Sequence, residues 1–137
     1  MDDRVFWPAI VAAARACVGT RFRVQGRTPG LGLDCVGVVL VAARAAGIVP
    51  ASLSAYALGS DHEADIEPVL AQVGCKFVVS ALPGDILVIA PSTRQRHLAI
   101  VTKAGVVHAH AGLGRIVEGP VDAGWAIVGA YRLPGAR

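Results

Sequence analysis

The sequence has few aromatic and few charged residues, and both shortages restrict what it can be. Of its 137 residues, 5% are aromatic and 17% are charged, whereas 54% are hydrophobic. Disordered chains have the opposite composition, so that class is excluded. Basic residues outnumber acidic ones by 13 to 10, but they form no tract and do not interleave with aromatics. We therefore expect no nucleic-acid partner.

Long hydrophobic runs and a basic leader are also missing. The chain begins Met1-Asp2-Asp3-Arg4, which is acidic where a signal peptide is basic. The apolar stretch that follows is too short and too interrupted to cross a bilayer. We expect no membrane partner, and synthesis in the cytoplasm without a signal peptide.

Cysteine is scarce, and its spacing excludes two common uses. Cys17, Cys35 and Cys75 are an odd number and form no CxxC or Cys/His pattern, so neither a disulfide framework nor a zinc site is indicated. No metal and no cofactor are predicted. Cys17 lies on the apolar stripe of a helical segment and is expected in the core.

The order of the patterns predicts one α+β domain over residues 1–137. Helical patterns cover 5–19, 35–47 and, less regularly, 61–74, where Pro68 either kinks the helix or begins a new first turn. Short β-branched runs follow and predict strands in an antiparallel meander. These runs are 75–80, 85–90, 97–103, 105–111, 115–121 and 126–133. We expect the N-terminal helices to pack on this C-terminal sheet.

One cysteine lies where a loop meets a helix. Gly30 and Gly32 are expected to let the loop turn tightly, and Asp34 to cap the helix that begins at Cys35. The positive end of a helix favours a thiolate, so we expect a lowered pKa for Cys35. A nucleophilic thiol also needs a base from elsewhere in the chain.

Histidines on two neighbouring strands supply candidates for that base. His97 begins an apolar strand after a polar loop, and a hairpin turning near 103–105 brings it beside His108 and His110. By strand parity the latter two share one face, either as ordinary strand residues or as site residues. His62 lies in a polar helix start and is expected at the surface.

The stretches "LDCVG", "RHLAIV" and "GVVHAHAG" resemble motifs of the NlpC-type cell-wall peptidases, papain-like cysteine peptidases, and especially their phage-type branch. The resemblance also covers "GTRFRVQG", "PGDILVI" and "GAYRLP" in family order. It implies a papain-like fold in which Cys35 is the nucleophile, His97 the base and His108 the residue that orients the base. His110, one step further along the strand, would line the substrate groove.

The sequence departs from the family in the loop before the nucleophile. Many members have a Tyr near the oxyanion region where this chain has Phe22, and the phage-type branch often has a His where this chain has Val24. Another donor must then replace the Tyr hydroxyl, either Gln25 or the Cys35 backbone N–H. Asp34 is expected to fix the loop as well as cap the helix.

The resemblance implies a substrate, the peptide stem of bacterial peptidoglycan, typically cut between D-glutamate, through its γ-carboxyl, and a diamino acid. Two alternatives stay open: a thiol amidase or acyltransferase acting on another substrate, and a phage-like tail component that kept the fold and lost turnover. Tail proteins would then be partners. A chain made in the bacterial cytoplasm without a signal peptide would reach the wall inside a phage-like particle, after lysis or by partner delivery.

Overall fold

Helices fill the first half of the chain and strands the second, which confirms the predicted α+β class. The computed structural model describes residues 7–23, 26–48, 63–93 and 95–134. Its helices are α1 (Trp7–Ala16), α2 (Cys35–Ala45) and α3 (Glu63–Val73). Its strands are β1 (Arg27–Thr28), β2 (Gly32–Leu33), β3 (Lys76–Val78), β4 (Ile86–Ala90), β5 (His97–Thr102), β6 (Gly105–His110), β7 (Arg115–Gly119) and β8 (Ala126–Arg132).

The main sheet is antiparallel with the strand order β3-β8-β4-β5-β6-β7, and β1 and β2 form a separate small ladder. Strands β4 to β7 form the predicted meander. The prediction is wrong for β8, which returns to lie between β3 and β4. Side-chain alternation determines which face a strand buries but not which strand it pairs with, so the sequence pattern did not indicate this return.

The two faces of the sheet have different coverings. The face that packs against the helices is apolar and includes Ile86, Val88, Leu98, Ile100, Val107 and Ala109. The opposite face has a smaller apolar cluster of Leu87, Ile89, Ala99, Val106 and Ala130. Val107 and Ala109 therefore lie on the helix side and Val106 on the other, which confirms the parity predicted for β6. Cys17 is fully buried in the main core, as expected.

The start of α2 is held by a side-chain cap and by a close approach of the preceding loop. The Asp34 carboxylate accepts a hydrogen bond from the Gly37 N–H at 2.8 Å, which confirms the predicted cap. A Cβ on Gly37 would overlap the Gly26 carbonyl oxygen, so the loop can cross α2 only over a glycine. Gly30 has the positive φ, +83°, of a tight turn. Gly32 does not: it lies in β2, where a Cβ would collide with the Arg23 side chain.

Helix α3 is continuous through Pro68, so the alternative in which the proline begins a new first turn is wrong. Its buried residues Ile66, Val69, Leu70 and Val73 join the main core. His62 precedes this helix and lies outside the described residues. Among the helices that are described, none is long and apolar enough to span a membrane.

Candidate active site

Cys35 is the first residue of α2, and its thiol lies where the helix meets β5. The helix packs against that strand, and the sulfur is close to the backbone N–H groups of Leu98, Val36 and Cys35 itself. Leu98 directly follows His97 in the chain. The thiol predicted to be the nucleophile therefore lies beside the backbone of β5, at the residue that follows the predicted base. No hydrogen bond joins their side chains among the residues that the structure describes.

The pKa of the Cys35 thiol is raised to about 11, chiefly by burial and also by the neighbouring Asp34 carboxylate. The three N–H groups near the sulfur act in the opposite direction but do not compensate for burial. The prediction of a lowered pKa for Cys35 is therefore wrong for this state of the protein. The sequence identified the helix N-terminus but not the desolvation of the thiol or the effect of the capping carboxylate on it.

The His97 and His108 imidazoles are directly bonded. His97 Nε2 and His108 Nδ1 are 2.9 Å apart, and the two rings meet edge to face. The contact follows from the β5–β6 register, which pairs Ala99 with His108 and brings the start of β5 beside the end of β6. The predicted hairpin therefore brings together the two histidines that the resemblance singles out.

The hydrogen bond between these rings has a consequence for the chemistry of His97. With the shared proton on His97 Nε2, His97 donates to His108 Nδ1 and keeps a lone pair on its own Nδ1. With the proton on His108 instead, His97 Nδ1 carries a hydrogen and cannot act as a base. Only the first tautomer leaves His97 able to accept a proton, and an acceptor at His108 favours that tautomer.

Trp125 covers the imidazoles on the sheet face opposite the helices. Its ring centroid lies 5.7 Å from that of His97 and 5.9 Å from that of His108, both edge to face. His110 stacks on the same indole at 6.3 Å. His110 also accepts a hydrogen bond from the Leu113 N–H at Nδ1, at 3.1 Å. His110 thus shares a face with His108, as parity predicts, but is bonded to a turn and not to His97.

Both bonded histidines favour their neutral forms. The pKa of His97 is lowered to about 3, chiefly by burial and also by the neighbouring His108 and His110. Burial also lowers the pKa of His108, followed by the effect of His110, while Asp122 acts in the opposite direction. With the Cys35 thiol also neutral, the resting site is a thiol and an imidazole at pH 7 and not an ion pair.

Of the residues predicted near the oxyanion, the structure describes Phe22 but not Gln25. Phe22 is half-buried against the main core, and its backbone bridges Leu33, two residues before Cys35. Its ring supplies no hydroxyl near the nucleophile. Gln25 and Val24 lie outside the described residues.

Sequence reasoning missed Trp125 and the Leu98 N–H. The tryptophan lies in a short loop between two strands with no motif around it, so only its rarity in this chain could have drawn attention to it. A backbone N–H carries no sequence signal at all. Among the described residues, no group of three or more His, Cys, Asp and Glu is arranged to hold a metal ion.

Comparisons with known proteins bear on the fold. No family model matches the sequence, and no curated protein is similar to it. The solved structure of NlpC2 from Trichomonas vaginalis is similar over 94% of this chain, with a TM-score of 0.69 and 14% identity. NlpC1 from the same organism is similar over 90%, with a TM-score of 0.67 and 15% identity. The chain spans 47% and 42% of those two chains, respectively. Its α+β architecture is therefore the fold of the NlpC proteins.

Proposed function

We propose that this protein is a cysteine peptidase in which Cys35 is the nucleophile, His97 the base and His108 the residue that orients the base. The observation that carries the proposal is the 2.9 Å hydrogen bond between the His97 and His108 imidazoles. His97 directly precedes Leu98, whose backbone N–H lies beside the Cys35 thiol. A thiol, a base and an acceptor behind the base are the minimum set for acyl transfer.

The proton transfers follow from the neutral resting state. His97 Nδ1 removes the proton from Cys35 Sγ as the sulfur attacks the carbonyl carbon of an amide, and His97 becomes an imidazolium that His108 Nδ1 stabilises. The imidazolium then protonates the leaving amine as the C–N bond breaks. A water, deprotonated by His97, releases the acyl group from the sulfur. Catalytic hydrogen bonds often tighten only when substrate is bound, so the missing bond between the resting thiol and His97 is compatible with these steps.

The oxyanion of the tetrahedral intermediate has donors at the start of α2. The Asp34 side chain accepts a hydrogen bond from the Gly37 N–H. The N–H groups of Cys35 and Val36 belong to the first turn of the helix and have no intrahelical acceptor. Preorganised N–H donors of this kind lower the barrier to acyl transfer substantially. In this proposal they replace the Tyr hydroxyl that Phe22 lacks.

The substrate we propose is the peptide stem of bacterial peptidoglycan, cut between the γ-carboxyl of D-glutamate and a diamino acid. The NlpC fold and the Asp34-Cys35-Val36-Gly37 motif support it. Delivery to the wall in a phage-like particle, with tail proteins as partners, belongs to the same proposal.

Digestion of purified peptidoglycan fragments, with mass analysis of the released peptides, tests the proposal. We expect fragments that end in γ-linked D-glutamate and new peptides that begin with the diamino acid. Products cut at a different amide, or acyl groups transferred to an added amine without hydrolysis, would favour a thiol amidase or acyltransferase.

A second candidate is a tail component without turnover. The neutral thiol with a pKa of about 11 and the ring of Phe22 without a hydroxyl both favour it. Intact fragments after prolonged digestion over a range of pH, together with a folded protein, would support this candidate against the peptidase.

A further inference from the structure

Two arginines face each other across a narrow strand pair at the edge of the site. Arg21 and Arg115 form an antiparallel bridge outside the main ladders. The hydrogen bonds that flank the bridge, both 2.8 Å, are Phe22 N–H to Gly114 O and Ile116 N–H to Thr20 O. Arg21 and Arg115 are therefore a non-hydrogen-bonded pair of an antiparallel ladder. In such a pair the opposite Cα atoms are about 4.5 Å apart and the side chains are closest. The two arginine side chains therefore leave the backbone side by side on one face.

The two guanidinium groups have no counter-charge in the part of the chain that the structure describes, and both residues are exposed. Two other arginines do have a carboxylate partner: Arg15 with Glu118 at 3.1 Å, and Arg132 with Asp85 at 2.8 Å. Like charges directly opposite each other on paired strands are destabilising. An anion bound between Arg21 and Arg115 would remove that repulsion.

The arginine pair continues the row of site residues. The β6–β7 register places Arg115 directly opposite His110, so the two side chains share the face that carries the imidazoles. On its other side, the Arg21 carbonyl accepts a hydrogen bond from the Leu33 N–H at 3.0 Å, and Leu33 lies two residues before the nucleophile. With strands about 4.8 Å apart, Arg21 lies roughly 10 Å from His110.

We propose that Arg21 and Arg115 form a subsite that binds a carboxylate of the substrate peptide. The inference rests on the proposed peptidase function and specifies the substrate class. Two planar guanidinium groups side by side match the two oxygens of a carboxylate, each through a pair of N–H donors. A γ-linked glutamate keeps its α-carboxylate free next to the scissile bond, and a terminal diamino acid carries a second carboxylate on the other side of that bond.

The test compares three synthetic stem peptides: one with both carboxylates free, one with the glutamyl α-carboxyl as the amide, and one with the C-terminal carboxyl as the amide. We expect amidation at one position to raise KM on the order of 10- to 100-fold with little change in kcat, as for the loss of charge-assisted hydrogen bonds. The position that matters identifies which carboxylate is bound. Arg21→Gln and Arg115→Gln should each raise KM for the free peptide and reduce its preference over the amide.

A matched control variant distinguishes a general effect of losing one positive charge from a loss of binding at Arg21 and Arg115. Arg44 is an exposed arginine in the last turn of α2, about 13 Å along the helix from Cys35. Arg44→Gln removes the same charge and should leave the preference for the carboxylate unchanged. Equal preferences in the wild type, Arg21→Gln and Arg115→Gln would overturn the proposal, as would an equal loss in Arg44→Gln.

Binding to Cys35→Ala, measured by calorimetry with the same peptides, separates this inference from the proposed function. A wild-type protein that cleaves none of the peptides, while Cys35→Ala binds the free carboxylate through Arg21 and Arg115, would contradict the peptidase and support the subsite. Cleavage with no preference for either carboxylate would support the peptidase and contradict the subsite. Absence of binding to every peptide would contradict the subsite as well.

Discussion

Cys35 at the start of α2 and Cys75, two residues after the end of α3, both have a raised pKa, but the hydrogen-bonding groups around the two sulfurs differ. Burial raises the pKa of both Cys35 and Cys75 to about 11. Cys75 donates its S–H to the Leu70 carbonyl at 3.4 Å, a contact that favours the thiol. The Cys35 sulfur instead lies near three N–H groups, which favour the thiolate, and near the strand that begins at His97.

The comparison teaches that the pKa of a resting thiol does not describe how its surroundings respond once charge develops. Desolvation raises the pKa at both positions, but at Cys35 it is opposed by donors that stabilise a thiolate, or an oxyanion, once charge develops. At Cys75 only its own backbone N–H acts in that direction. The direction of the surrounding hydrogen bonds distinguishes the two sites.

The largest expected effect comes from removing the Cys35 thiol, and removal of the Cys75 thiol is the matched control. Cys35→Ala should reduce cleavage of a γ-D-glutamyl peptide by more than about 10³-fold, because no acyl-enzyme can form. Cys75→Ala should keep the wild-type kcat/KM and lose some packing energy. Peptide hydrolysis followed by chromatography measures both, with circular dichroism to show that the variants are folded. Cleavage retained in Cys35→Ala would contradict the assignment of the nucleophile.

The next effect concerns the acceptor behind the base. His108→Ala should lower kcat by about 10²- to 10⁴-fold with little change in KM, because His97 loses the partner that sets its tautomer. His108→Asn offers an oxygen in place of Nδ1 and should recover part of kcat. His110→Ala should mainly raise KM, since His110 is not bonded to His97. A kcat defect in His110→Ala and none in His108→Ala would reverse the two roles.

A smaller effect is expected on stability as the pH falls. The lowered pKa values of His97 and His108 mean that the unfolded chain binds more protons than the folded one below about pH 6.5, the ordinary value for histidine. The free energy of unfolding should therefore decrease from pH 6.5 towards pH 3, by at most about 1.4 kcal/mol per pH unit for each histidine. Urea unfolding at several pH values measures this slope. The free energy of unfolding of His97→Gln should depend less steeply on pH than that of the wild type. Because both proteins have the same carboxylates, the difference between the two slopes reports on the histidine.

The smallest expected effect is a change of thiol pKa without a change of fold. Asp34→Asn keeps an oxygen that can accept from the Gly37 N–H and removes the carboxylate that raises the Cys35 pKa. We expect the pKa of Cys35, measured from the pH dependence of alkylation, to fall below about 11 while that of Cys75 stays where it is. An alkylation rate at Cys35 that is already constant from pH 5 to 8 in the wild type would show an ion pair with His97 and contradict the neutral resting site.

Several features of the site were predictable because they depend on local rules. The N-cap at Asp34 and the shared face of His108 and His110 follow from spacing along one helix and one strand. The hairpin between β5 and β6 has a turn at residues 103 and 104, close enough in sequence to predict its register. The return of β8 between β3 and β4 depends on contacts between distant segments, and no local pattern encodes it.

The sequence by itself determined the helices, the strands of the main sheet, the two faces of β6 and the identity of the groups that could carry the chemistry, because backbone periodicity and side-chain type are local properties. It did not indicate the short ladder of β1 and β2, which lies in the segment predicted as a loop. The tertiary structure decided which of those groups meet and in which protonation state. Burial, which depends on the whole fold, reversed the expected pKa of Cys35 and neutralised His97. The same packing placed Trp125 over the imidazoles and Arg21 opposite Arg115, since strand pairing brings together residues that lie far apart along the chain.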